Sequence, residues 1–79
     1  MFINKSEKGR NNLCGEKIAE LRIRMGISQR ALADMLQIEG LDMNKNAVQR
    51  IEAGKRFVTD IELKVMSVVL EIPVEKLLE

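Results

Sequence analysis

Two capped amphipathic segments between residues 28 and 54 constrain the fold more than any other feature of this chain. The first opens on Ser28, whose hydroxyl suits the unpaired N–H groups of a first helical turn. It then places Leu32, Ala33, Met35 and Leu36 on one face. The second opens on Asn44, turns Val48 and Ile51 inward and stops at Gly54. Its other side carries Lys45, Asn46, Gln49 and Arg50. Helices this short do not hold alone in water, so each needs a neighbour to cover its apolar stripe. The pair must therefore pack together and against further helices.

Composition narrows the choice. Phe2 and Phe57 are the only aromatic residues among 79, so a core must come from Leu, Ile, Val, Met and Ala. That palette favours helix packing, and the length suits one small domain. The chain has no His, and its single Cys14 can form no internal disulfide. Zinc, other metals and cofactors are not expected. A small domain without such staples points to a reducing, cytoplasmic setting. No apolar run is long enough to span a bilayer, and the N-terminus lacks a signal-peptide apolar region.

Along the chain, residues 1–12 show no sustained periodicity and read as a flexible N-terminal arm, mildly basic through Lys5, Lys8 and Arg10. Residues 13–79 form the domain. Leu13, Cys14, Ile18, Leu21 and Met25 recur at helical spacing, and Gly26 stops that helix. Ile27 leads to Ser28. Residues 38–43 connect the second helix to the third, a longer connection than the usual three or four residues. Met43 and Val48 can staple the Asn44 cap. Thr59 and Glu62 have capping-box spacing, and a fourth helix follows with Ile61, Val65, Val68 and Val69 on its apolar side. Pro73 opens a last short helix containing Leu77 and Leu78. The expectation is all-α, with five helices.

The charge is polarised although the net is only +1. Residues 43–58 carry a net of +3, and residues 60–79 a net of −3. An exposed helix face of amides and cations suits the base edges of a DNA major groove. Asn and Gln pair with adenine, and Arg and Lys with guanine. Lys45, Asn46, Gln49 and Arg50 are therefore the candidate base contacts, with a solvated helix face as the plain alternative. Lys55 and Arg56, on the exit turn, suit phosphate contact. Arg30, in the first turn of the second helix, suits it too, since that helix end attracts anions. No paired carboxylates, phosphate-cradling glycine loop or nucleophile–base set is present, so no catalytic residue is assigned and no enzyme is expected.

Taken in order, Ile18-x-x-Leu21-Arg22, Gly26-Ile27-Ser28-Gln29, Leu32-Ala33, Ile51-Glu52-x-Gly54-Lys55-Arg56 and the stretch from Leu70 to Leu77 resemble the Cro- and phage-repressor-like helix-turn-helix family of bacterial and phage regulators. The resemblance spans about four-fifths of the chain. It implies a compact five-helix, lambda-repressor-like domain that binds double-stranded DNA, usually as a homodimer on a palindromic operator. It also implies a phosphate contact by Gln29 and an ion pair between Arg22 and Glu52 that fixes the reading helix. The long connection departs from the commonest members and resembles an extended turn found in some. The expected function is a sequence-specific transcriptional regulator, a repressor, with no membrane and no evident small-molecule ligand. An antitoxin-like autoregulator would need a toxin-wrapping segment beyond Leu78. A protein-interaction adaptor on the same fold would put acidic or apolar residues where Lys45, Asn46, Gln49 and Arg50 stand. Surplus apolar residues at Leu70, Ile72, Val74, Leu77 and Leu78 offer a place for a dimer contact.

Overall fold

The computed structural model describes residues 9–79. Five helices follow in order: α1 (Gly15–Arg24), α2 (Gln29–Ile38), α3 (Lys45–Glu52), α4 (Asp60–Val69) and α5 (Val74–Leu77). Among the described residues there is no strand, and no helix is long and apolar enough to cross a membrane.

The capping residues act as the sequence implies. Ser28 Oγ accepts from Ala31 N at 3.0 Å and Asn44 Oδ1 accepts from Ala47 N at 2.9 Å. Thr59 and Glu62 exchange both capping-box bonds at the start of α4. The C-terminal ends of α1, α2, α3 and α4 close alike. After α2, Leu41 N donates to Leu36 O and Gly40 N to Gln37 O, which satisfies two otherwise orphaned carbonyls. The residue at the left-handed position of these closures is Gly26, Gly40 or Gly54, but after α4 it is Glu71, at φ 55°.

Helix α3 packs on α1 and α2, while α4 packs on α2 and α5. One core runs through these contacts, built from Ile18, Leu32, Leu36, Met43, Val48, Ile51, Met66 and Leu77 with smaller residues between them. Met43 and Val48 are both buried beside the Asn44 cap. Cys14 lies in this core with its thiol pKa pushed up by burial, as suits an inert apolar filler.

The structure departs from the sequence reading in three places. Helix α1 begins at Gly15, and Leu13 and Met25 are exposed instead of lining its inner face. Helix α4 turns Met66, Val69 and the adjoining Leu70 inward, leaving Ile61 70% and Val68 58% exposed. Apolar residues surround most of α4, so periodicity alone allowed two neighbouring stripes. Packing against the core uses the one containing Met66, and Glu62 on α4 pairs with Arg56. Finally, the supposed surplus at the C-terminus is largely used. Leu70 and Leu77 are buried, Ile72 and Val74 half-buried, and only Leu78 is exposed.

Candidate nucleic-acid interface

Helix α3 presents two unlike sides because its sequence alternates short apolar and long polar residues at helical spacing. Val48 and Ile51 are buried. Asn46, Gln49 and Arg50 stand outward and, with Ala53 and Lys55, line one shallow open cleft. Lys45 is also exposed, one residue before Asn46. No hydrogen bond or ion pair joins the side chains of Lys45, Asn46, Gln49, Arg50 or Lys55 to any described residue. They are amide and cationic groups on one exposed surface, ready for an outside partner. Ala47 is different, since it packs half-buried against the core.

The same helix is tied to the scaffold by Glu52. Its carboxylate accepts from Arg22 Nε at 2.7 Å and Arg22 Nη2 at 3.0 Å, while Arg22 Nη1 donates to Ile27 O at 2.9 Å. Gln29 Nε2 donates to Glu52 Oε1 at 3.0 Å. Three helices thus meet on one carboxylate. The two charged side chains are only 15% and 8% exposed, and the hydrogen bonds to Glu52 push the Arg22 pKa further up. A fork-to-carboxylate pair fixes direction as well as distance, which a lysine would not do.

The remaining expected positions separate. Gln29 begins α2, where its amide nitrogen is engaged by Glu52. Arg30, one residue on, is exposed. Lys55 and Arg56 diverge although adjacent. Lys55 reaches the cleft of α3. Arg56, also expected to contact phosphate, binds Glu62 through Nη1 at 2.9 Å and Nη2 at 2.8 Å and donates to Phe57 O at 3.1 Å. The physical reason is reach and complementarity, because the Glu62 carboxylate is already oriented by the Thr59 cap. Arg56 and then Thr59 hold the Glu62 pKa below the usual carboxylate range.

Residues 10–12 were missed by the sequence reading. Arg10 Nη2 donates to Glu52 O at 2.8 Å and Ile51 O at 3.3 Å. Asn11 N donates to Gly54 O, and Asn12 Nδ2 to Ile51 O and Arg56 O. This part of the expected arm is fastened to the end of α3, while residues 1–8 lie outside the described residues. One local signal was available: Asn12 stands three residues before Gly15, whose N–H it accepts at 2.8 Å. Its pairing across the fold had no sequence signature.

Among the described residues, no group of His, Cys, Asp and Glu is arranged to hold a metal ion. The comparisons agree with the geometry. The sequence profile of the family described as Helix-turn-helix matches residues 18–77. A crystal structure of the restriction-modification controller protein C.AhdI from Aeromonas hydrophila is similar, with 27% identity and a TM-score of 0.69 over 80% of this chain and 84% of that one. No curated protein sequence matches significantly. Matched over most of its length and built around the paired helices α2 and α3, the chain belongs to the Cro-like helix-turn-helix family of double-stranded-DNA-binding transcription regulators.

Proposed function

We propose that this regulator reads sequence in the DNA major groove with α3 and acts as a repressor by covering DNA that polymerase needs. The observation that carries this reading is the cleft lined by Asn46, Gln49, Arg50, Ala53 and Lys55, whose polar side chains make no hydrogen bond or ion pair with any described residue. Asn46 and Gln49 match adenine edges, and Arg50 and Lys45 match guanine edges. Lys55, Arg30 and the start of α2 at Gln29 serve the phosphate backbone. Arg56, braced by Glu62, stands beside Lys55 for the same phosphate backbone.

The active form in this reading is a homodimer on a palindromic operator, in the cytoplasm. Supporting a second copy, Ile61, Val65 and Val68 repeat at i, i+4 and i+7 on α4, and two of the three are well exposed. An apolar stripe on a domain this small is a natural self-association surface. The likeness to a restriction-modification controller protein favours a second reading, in which the genes controlled belong to a restriction-modification pair.

The test is selection of duplexes from a random-sequence pool, followed by anisotropy titration of a selected and a shuffled duplex over a salt series. The reading expects a two-fold symmetric selected sequence, nanomolar binding, at least about a thousandfold preference and a steep salt slope. Equal weak binding to both duplexes contradicts it.

A further inference from the structure

We propose that Arg10, Asn11 and Asn12 form a clasp that positions the turn after α3, and with it Lys55, for contact with the DNA backbone. The inference rests on the proposed role of α3. The last carbonyls of a helix have no partner within it and carry the negative end of its dipole. Here a distant segment covers them. The Arg10 guanidinium takes the carbonyls of Ile51 and Glu52, placing a cation at that negative end. The same side chain approaches Glu16 on α1 at 3.6 Å, so it bridges two helices.

The clasp continues past the helix into the turn. Asn11 N donates to Gly54 O at 2.8 Å, Asn11 Nδ2 to Lys55 O at 3.2 Å and Asn12 Nδ2 to Arg56 O at 2.8 Å. The backbone of the turn is thereby fixed residue by residue from a segment some forty positions earlier. Two glycines show how closely the parts approach. A Cβ on Gly54 would lie 2.7 Å from Arg10 Cζ, and one on Gly15 would strike the Ile51 carbonyl oxygen. Gly54 is left-handed at φ 77°, whereas Gly15 is an ordinary helical residue, so only the close approach explains a glycine there.

Function enters through Lys55. Its backbone is held by the clasp, while the residue itself is exposed and lines a cleft with Asn46, Gln49 and Arg50. Arg10 contacts carbonyls and Glu16, and its side chain is only 17% exposed, so it acts through the turn and is a positioning residue. Loosening the clasp leaves Lys55 with its charge but without a fixed place from which to use it.

A double-mutant cycle separates this role from plain stabilisation. The probe is a fluorescein-labelled duplex selected by the wild-type protein from a random pool, titrated over a salt series well below the melting temperature. Lys55→Ala alone lowers affinity about tenfold and reduces the salt slope by about 0.9, one phosphate contact. Arg10→Ala produces a similar loss and a similar drop in slope. Lys55→Ala added to Arg10→Ala then costs less than about twofold. Should Arg10→Ala fail to fold, Asn11→Ala takes its place, since it keeps the backbone bond to Gly54 and loses only the Lys55 carbonyl. It shows the same coupling at smaller size. Additive losses, or an unchanged slope in the clasp variant, overturn the inference while leaving the DNA-binding reading intact. A wild-type protein that selects no duplex overturns both.

Discussion

On its inner side α3 is held by Arg22, Gln29 and the clasp at residues 10–12, through hydrogen bonds of 2.7–3.3 Å. On its outer side the side chains of Lys45, Asn46, Gln49 and Arg50 make no hydrogen bond or ion pair with any described residue. If α3 reads DNA as proposed, the contrast separates two tasks that this one helix performs. A reading helix gains nothing from side chains already paired within the fold, because those bonds must break before a base can replace them. It gains from a backbone whose place is fixed in advance, since the ordering entropy is then lost on folding and not on binding. In the proposed reading, polar residues on the inner side maintain the pose, and polar residues on the outer side are kept for DNA.

That division predicts opposite outcomes for substitutions only a few residues apart. The largest effect is expected from Glu52→Ala, which strands Arg22 in a nearly closed site and frees Gln29. Urea denaturation should show a stability loss of about 3 kcal/mol. A loss below about 1 kcal/mol would place Glu52 among ordinary surface pairs. Arg50→Ala should do the reverse, costing about 1–3 kcal/mol on the selected duplex and relaxing preference at one base pair. Its stability should stay within about 0.5 kcal/mol of wild type. Equal weakening on every sequence would remove Arg50 from the base readers.

A smaller effect tests the fold away from α3. Glu71 occupies a left-handed position where the corresponding closures use glycine. Glu71→Gly should raise stability by about 1 kcal/mol and leave DNA affinity untouched, because it lies in the turn after α4, whereas α3 packs on α1 and α2. The smallest is a pH effect on the Arg56 brace. The folded-state pKa of Glu62 is lowered, so its contribution is present above the unfolded value of about 4.3 and fades as pH falls through the folded value. The stability gap between wild type and Glu62→Gln should shrink below about pH 4.3. A gap that widens there would reverse the sign of the assignment.

Much of this arrangement was legible in the sequence, and for local reasons. Ser28, Asn44 and Thr59 announce helix starts through bonds made within three residues, so the caps needed no tertiary knowledge. The outward residues of α3 were readable because Val48 and Ile51 fix which side faces the core. What escaped notice depends on partners far apart in the chain. The pairing of Arg10 with the end of α3 spans more than forty residues and follows no periodic pattern. The rotation of α4 was hidden by apolar residues around most of the helix, and the tertiary packing of Met66, Val69 and Leu70 in the core sets it. Arg56 looked like Lys55 in sequence, and only the placed carboxylate separates them.

The measurement that bears most directly on the central claim is binding of the wild-type chain and Arg50→Ala to the selected duplex with single purines replaced by 7-deaza purines. This change removes the N7 acceptor, which faces only the major groove. Wild type should lose about tenfold or more at a few clustered positions. One guanine among them should have no further effect once Arg50 is alanine. Binding indifferent to every replacement would contradict major-groove reading by α3.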